Sequence, residues 1–335
     1  DSLTGLPAID STLKKVKNTS LYWIFEAFFK ASEIIRHHRI DMIYSRVMPP
    51  YGHLPALLLS YRFHLPWVAN WSDPTPLAIS PAPYTGPFKR KDKIIFGLLK
   101  NVAKRASWHT FPSKHLAEYM LEFYPEIKGR YSIVPHIAFS KLFTQPEYDQ
   151  DVFKICHVGG LEQREPANFI NAVAQFMHSH SSRDVKILFI GPVDEEAKSL
   201  VGSLGLEKIF SFIPSVSYER SLEYMAACEV SLVIEADMKK GIFLPSKVMD
   251  IIQLGKPMLA VSPGNGVMND LLSLKGGGIA VDRNNVEEIV ASLDSLYTAW
   301  SKKELDSIYG SSVLREEFNE ATVIQNFCAI KDMLN

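Results

Sequence analysis

The chain has 335 residues, 47% of them hydrophobic and 22% charged, enough for two cores of ordinary globular character. A formal net charge of −1 gives no whole-molecule field that would draw it to nucleic acid. Three scattered cysteines, Cys156, Cys228 and Cys328, form neither a zinc motif nor an even disulfide set, and no leader or run of roughly 18 apolar residues is seen, so a cytoplasmic protein is expected.

Apolar residues recur at three-to-four intervals over 10–38, which predicts a helix. RIDMIYSRV (39–47), stopped by Met48-Pro49-Pro50, reads as a buried parallel strand, and Leu54–Tyr61 as a helix. LPWVANWSDP (65–74) is a second strand and loop. The Pro-rich stretch 74–87 is an irregular loop long enough to carry function. Lys91–Arg105 has the pattern of a basic amphipathic helix. A strand (107–113), a helix (Lys114–Tyr124) and a fourth strand (130–136) follow, and 138–150 lacks an apolar period and reads as a linker.

The second half alternates more regularly. Strands are predicted at 153–161, 185–193, 209–216, 229–237, 256–264 and 276–283. Helices fall between them at Asn168–His178, Glu195–Leu204, Tyr218–Ala227, Lys247–Leu254 and Val267–Leu274, with a last one at 285–297. This spacing argues for βαβ units and a parallel sheet covered on both faces. The fold expected is α/β, with two Rossmann-like domains: 1–145, and 152–300, with helices in 301–335 packing back on the first. In such sheets ligands bind beyond the carboxyl ends of the strands, here the loops at 159–164, 191–194, 214–217, 235–247 and 262–266.

Gly159-Gly160 ends a strand and is trailed by Arg164, a residue suited to a bidentate grip on phosphate. A tight turn that needs glycine explains the same pair without a ligand. The run Lys239–Lys247 joins cations, a glycine and a Pro245-Ser246 step that opens a helix. Free N–H groups and the helix dipole favour a diphosphate there, while Ser246 also reads simply as an N-cap. Asp250 lies one turn into that helix, placed to meet ribose hydroxyls or merely to complement the dipole. His136 and His157 read as core residues. His53, beside Gly52, lies at the ligand end of the first sheet. No GxSxG elbow and no P-loop is present.

KICHVGGLEQREP, KILFIGPV, IFSFIPSVSYERSLEYMAACEVSLV and FLPSKVMDIIQLGKPMLAVSPGNG, in that order, resemble the C-terminal domain of family 4 glycosyltransferases, retaining enzymes of the GT-B fold. The FLPSK-to-GKPMLA segment is similar to the family's "P-x-K-hydrophobic-x-E-…-G-x-P" signature. The resemblance implies Arg164 at the donor-phosphate position with Gly159 and Gly160. Pro214 and Val216 would lie near the nucleobase, Leu244, Pro245, Ser246 and Lys247 along the diphosphate and sugar, and Asp250 in place of the ribose-binding acid. It departs from the family in two ways. The acid is Asp, not Glu, and its partner eight positions earlier falls on Ile242.

YSRVMPPYGH and VANWSDP resemble the acceptor-side loops, which makes Ser45, His53 and Asp73 the acceptor-side candidates. Trp71-Ser72-Asp73 stands where the family often has a histidine. The family's opening strand and Gly-rich loop do not precede Asp1. A longer native chain is therefore expected, since a sheet without its first strands would expose an apolar edge.

The activity implied is transfer of a sugar, with retention, from a nucleotide-diphosphate sugar to a saccharide or lipid-linked hydroxyl acceptor, in glycan or cell-envelope polysaccharide synthesis. Arg164 and Lys247 would be the leading catalytic residues, with Asp73 on the acceptor side. Their charge does the work of a metal, so neither a metal nor a separate cofactor is implied. Two other activities fit the same fold: a non-hydrolysing UDP-sugar epimerase and a non-catalytic nucleotide-sugar-binding subunit. Basic and aromatic residues at 88–105 (Phe88, Lys89, Arg90, Lys91, Lys93, Phe96) read either as a solvated helix face or as a peripheral contact with the inner face of the membrane.

Overall fold

A computed structural model of the chain describes residues 20–139, 151–179 and 184–334. The chain divides into two compact units. Among the described residues the first comprises 20–80, Thr85–Val134 and 326–334; the second comprises Pro81–Tyr84, 135–139, 151–179 and 184–325. Residues 10–19 of the first predicted helix and 140–150 of the predicted linker lie outside the described residues.

The first unit runs α1 (Ser20–His37), β1 (Ile43–Arg46), α2 (Leu54–Phe63), β2 (Trp67–Asn70), α3 (Arg90–Arg105), β3 (Trp108–Phe111), α4 (Lys114–Phe123) and β4 (Tyr131–Ile133). Its four strands are parallel and in sequential order. The local chemistry sets the boundaries. Pro55 sits in the first turn of α2, where a missing N–H costs nothing, and His64 closes the helix in a left-handed conformation. Asp92 accepts from the Lys89 N–H at 2.8 Å to open α3, and the Ser113 hydroxyl accepts from the Leu116 N–H at 3.1 Å to open α4.

Trp67, Trp71, Phe111, Leu116, Met120 and Tyr124 are fully buried and form the middle of this unit. Burial of each such side chain contributes about 1.5–3 kcal/mol. The Pro-rich loop is pinned at two points: Tyr124 donates to the Thr75 carbonyl at 2.7 Å, and Tyr119 to that of Ile79 at 2.6 Å.

The second unit is a six-stranded parallel sheet built from β5 (Phe153–Val158), β6 (Val185–Ile190), β7 (Phe210–Ile213), β8 (Val230–Ile234), β9 (Met258–Ser262) and β10 (Gly278–Asp282). Their order is β10-β9-β8-β5-β6-β7. Alternate residues feed two separate cores. Phe153, Ile155, Ile187, Ile234, Val261 and Val281 face α5 (Ala167–Ser179), α6 (Glu195–Ser203) and α10 (Val286–Ser301). Cys156, Val233 and Ala260 face α7 (Tyr218–Ala226), α8 (Lys247–Leu254) and α9 (Val267–Lys275). β8 and β9 are buried on both faces, which is why their sequences are near-continuous apolar runs, each with a single serine (Ser231 and Ser262), rather than alternations. The strand order reverses between β5 and β8, so the crevice at their carboxyl ends is the position where this architecture binds ligands.

Beyond the sheet, α11 (Leu305–Tyr309), α12 (Arg315–Phe318) and α13 (Glu320–Leu334) complete the chain. Arg315 donates to the Ile252 and Gln253 carbonyls at 3.2 and 2.7 Å, and the Ser311 hydroxyl to that of Ile251 at 3.1 Å. The Ile251 and Ile252 carbonyls also accept from the Lys256 and Gly255 N–H groups at 3.3 and 3.1 Å, so the side chains reinforce a helix end that the backbone already closes and add a partner for the Gln253 carbonyl. Within the first unit, Phe327 meets Tyr44 of β1 edge-on at 5.4 Å, and Lys331 lies 3.8 Å from Asp41.

Candidate functional site

At the carboxyl end of β5 the chain turns through Gly159 at φ +107, a conformation only glycine adopts readily. A Cβ there would sit 3.3 Å from the Lys247 ammonium, and one on Gly191 (φ +125) would sit 2.9 Å from the Gly159 backbone. Gly160 is different: it lacks a positive φ, and the atoms around its Cβ position lie at ordinary contact distance. Gly159, not Gly160, is therefore the glycine the geometry requires. Arg164 follows in a turn flanked by two left-handed non-glycine residues, Gln163 (φ 63) and Glu165 (φ 46). Such conformations cost about 1–3 kcal/mol each and collect at ligand-binding turns.

Lys247 opens α8 and points back across the crevice to His157, with Nζ 3.2 Å from Nε2. The other ring nitrogen of His157 lies 3.0 Å from the Leu232 carbonyl. A carbonyl only accepts, so Nδ1 carries the proton and Nε2 is left to accept from Lys247. Burial, then the charges of Lys247 and Arg164, hold the imidazole well below its usual pKa, so it stays neutral. His157 is thus a core residue, as its place in a strand implied, but one that also fixes the lysine. Burial and then the Arg164 guanidinium lower the Lys247 ammonium to about 7.

Ser246 does not cap α8. Its backbone is already helical and its hydroxyl makes no capping bond, in contrast to Ser217, which accepts from the Arg220 N–H at 3.3 Å to start α7. The Val248 and Met249 N–H groups bond back to Pro245 and Ser246 at 3.0 Å each, a tight first turn. Leu244 is buried in the core, so only its backbone is free to meet a ligand, while Pro245 is partly exposed. Asp250 accepts at Oδ1 from the Tyr218 hydroxyl at 2.6 Å. Burial raises the Asp250 carboxyl, and this bond partly offsets the effect. Pro214 and Val216 sit past the end of β7, two strands from β5, with Pro214 exposed and Val216 half-packed on the core.

Three residues that the sequence pattern did not single out also converge here. Glu235 directly follows β8 and is 5% exposed. Desolvation raises its carboxyl to about 7 against the opposing pull of Arg164, Arg283 and Lys247. Arg283, also buried, donates to the Glu235 carbonyl at 2.7 Å and to that of Glu165 at 3.3 Å. Tyr218 is the third. The sequence signal for Glu235 and Arg283 was a charge directly after an apolar strand run. Their separation by 48 positions hid their pairing.

The acceptor-side candidates belong to the first unit and are not brought together as a single cluster. Ser45 and His53 lie in its interior: Trp67 Nε1 donates to the Ser45 hydroxyl at 2.7 Å, which in turn lies 2.7 Å from His53 Nδ1. His53 packs on Trp71, and burial lowers its pKa to about 3. The pair is placed to hold the core rather than to meet a substrate. Asp73 is only partly buried. Desolvation raises its carboxyl and the Arg46 charge lowers it. Arg46, Ser72, Asn70 and Thr110 form a hydrogen-bonded chain at the carboxyl ends of β1, β2 and β3, with steps of 2.8, 2.9 and 3.0 Å.

No described helix is long and apolar enough to cross a membrane, and among the described residues no group of three His, Cys, Asp or Glu gathers to hold a metal.

The family described as Glycosyl transferases group 1 matches residues 139–310, which span the second sheet and its crevice. An uncharacterized glycosyltransferase of Haemophilus influenzae is 29% identical over 143 residues, 40% of this chain and 38% of that protein, so the match spans under half of the relative. Among solved structures, sucrose-phosphate synthase of Thermosynechococcus elongatus superposes with a TM-score of 0.68 at 15% identity, covering 91% of this chain and 76% of that one. Anabaena Alr3699/HepE in complex with UDP-glucose gives 0.63 at 16%, covering 90% and 81%. These likenesses establish the α/β fold with two Rossmann-like parts seen in GT-B glycosyltransferases. With just over half of its length matched by the family, from the end of the first unit through the whole crevice, this chain belongs to the glycosyl transferases of group 1.

Proposed function

We propose that the protein transfers a sugar from a nucleotide-diphosphate sugar to a hydroxyl acceptor, with retention, as a family 4 glycosyltransferase. The observation that carries this reading is the convergence of Lys247, Arg164 and the left-handed Gly159 on the switch point of the second sheet. Two cations and a helix N-terminus over a glycine turn suit a diphosphate. As the bond from the anomeric carbon to the diphosphate oxygen breaks, negative charge grows on the leaving group. Lys247, held by His157, and Arg164, set in its strained turn, meet that charge without having to reorganise. Asp250 keeps its second oxygen for a ribose hydroxyl, and Pro214–Ser217 lies where a base would stack. Alr3699/HepE, whose structure holds UDP-glucose, supports the choice of donor class.

Asp73 beside Arg46 is the acceptor-side group with an accessible carboxylate, and a saccharide or lipid-linked hydroxyl is the acceptor we favour. For a lipid-linked acceptor, α3 offers a peripheral contact with the inner face of the membrane. Phe88, Ile94 and Leu98 are exposed among Lys89, Arg90, Lys91 and Lys93, whereas Phe96 is occupied by Tyr124 and Lys100.

Isothermal titration with UDP, GDP and ADP tests the donor site: one of the three binds the folded protein. Arg164→Ala weakens that binding about 10-fold or more, the cost of a charge-assisted hydrogen bond, while Lys302→Ala, on the surface far along the chain, leaves it unchanged. Failure of all three nucleotides to bind, or equal effects of the two variants, refutes the site.

A further inference from the structure

Arg283 directly follows β10 and is 4% exposed, yet its bonds run to four separate segments of the second unit. Its N–H donates to the Ser262 carbonyl, at the end of β9, at 2.9 Å. Its guanidinium donates to the Glu235 carbonyl, just past β8, at 2.7 Å and to the Glu165 carbonyl at 3.3 Å. Its own carbonyl accepts from Asn168 Nδ2, in the first turn of α5, at 2.9 Å. One buried residue therefore ties the ends of β8, β9 and β10 to the turn that carries Arg164.

That turn does not hold itself. Gln163 and Glu165 keep left-handed φ values of 63 and 46, although neither is glycine. Glu165 also precedes Pro166, and the residue before a proline is steered to extended backbone at negative φ. Such conformations persist only where the surroundings over-determine them. Within the turn, the Leu161 N–H bonds to the Pro192 carbonyl and the Arg164 N–H to the Leu161 carbonyl, each at 2.9 Å. Both of those bonds precede Glu165. The bond from Arg283 falls on the other side of Arg164 and closes the turn there.

The chemistry of the side chain suits this task. A guanidinium carries donors on separate nitrogens in a rigid fork, so it reaches a strand end and a turn at once, which a single ammonium does not. The Glu165 carboxylate also lies 3.8 Å from the guanidinium, but that side chain is 75% exposed, so the ion pair adds little beside the backbone bond. The Arg283 side chain itself is 5% exposed. What it does for the crevice therefore passes through the turn and not through contact with a ligand. Arg164, half-buried, has its charge within reach of Lys247, His157 and Glu235, so the course of its backbone decides what a ligand meets.

We propose that Arg283 is a positioning residue that fixes the Gln163–Glu165 turn and so aims Arg164 at the donor diphosphate. The proposal rests on the donor site described above and adds to it a residue 118 positions from the turn it holds. Arg164 and Arg283 then act as a unit, and their contributions to nucleotide binding do not add.

Isothermal titration with the nucleotide diphosphate that binds the wild type gives the Kd of Arg283→Met, Arg164→Ala and the double variant. Arg283→Met keeps the apolar stem and loses the bonds. It weakens binding at least about fivefold in the wild-type background and less than about twofold in the Arg164→Ala background, where no guanidinium is left to aim. A merely structural role, or a long-range effect of the lost charge, weakens binding by the same factor in both backgrounds, and that result overturns the proposal. Wild-type affinity in Arg283→Met overturns it too. If Arg283→Met shows no cooperative thermal unfolding, Arg283→Lys replaces it in the same cycle. Lysine keeps the charge but offers one nitrogen to two carbonyls, and the same contrast between backgrounds is expected. In each of these failures the donor site stands. Wild-type protein that binds none of UDP, GDP and ADP, or Arg164→Ala that binds as the wild type does, overturns the donor reading and this proposal with it.

Discussion

Lys247 concentrates the chemistry of the site in one side chain. Its ammonium is packed against a neutral histidine and faces Arg164 and Glu235, with Cys156 close by. Burial, more than any partner, holds it near a pKa of about 7, so in the empty protein it is charged below that pH and increasingly neutral above it. A diphosphate binds the charged form and raises the pKa on binding. Affinity is therefore full below about pH 7 and falls as pH rises, by up to about tenfold per unit. Glu235, pushed up to about 7, acts in the same direction, because it becomes an anion as pH rises past that value. Titration of UDP, or of whichever nucleotide binds, at pH 6, 7 and 8 measures this slope. A flat profile excludes Lys247 as the phosphate ligand, and Lys247→Arg, whose charge does not titrate in this range, is expected to flatten it.

At the scale of elements, α8 connects the site to the rest of the unit. Its start carries Lys247, and its end closes on Gly255 at φ +73, with Arg315 and Ser311 holding the last carbonyls. Arg315 is thus far from the ligand along the helix yet fixes the element that presents the lysine. Arg315→Ala removes bonds to the Ile252 and Gln253 carbonyls and lowers the unfolding free energy by about 1–3 kcal/mol in denaturant titration. An unchanged midpoint argues that water replaces the guanidinium at no cost.

This element was legible in advance: the alternation of strands and helices gave Lys247–Leu254, the bounds the structure has. The strands are three to five residues shorter than the runs that predicted them, in the second sheet partly because residues such as Gly159, Pro192 and Pro214 have already turned out of the ladder. Ser246 was misread in its local role. The serine-before-helix pattern describes a cap, but here the helical turn begins one residue early and Pro245 and Ser246 carbonyls take the N–H groups instead.

Taken as a whole, the chain is nearly neutral, so attraction to a membrane must be local to α3 rather than a property of the molecule. The exposed Ile94 and Leu98, with Lys89, Arg90, Lys91 and Lys93 beside them, predict weak binding to vesicles containing phosphatidylglycerol. That binding should fall several-fold between 50 and 300 mM salt, while vesicles of phosphatidylcholine alone retain little protein. Ile94→Glu with Leu98→Glu should abolish sedimentation with the vesicles. Equal sedimentation of this double variant and the wild type removes the proposed contact.

The sequence by itself determined the alternation of strands and helices, the parallel character of both sheets and the likeness to glycosyltransferases. Each depends on local periodicity or on a contiguous run such as FLPSKVMD. Only the tertiary structure decided which charges meet. His157 reaches Lys247 across 90 positions, and Arg283 reaches the Glu235 backbone across 48, because the strand order reverses between β5 and β8 and brings ends distant in sequence to one crevice. Ser45 and His53 show the converse. Polar residues at the end of a strand read as ligands, until the packing of Trp67 and Trp71 encloses them and turns their hydrogen bonds inward.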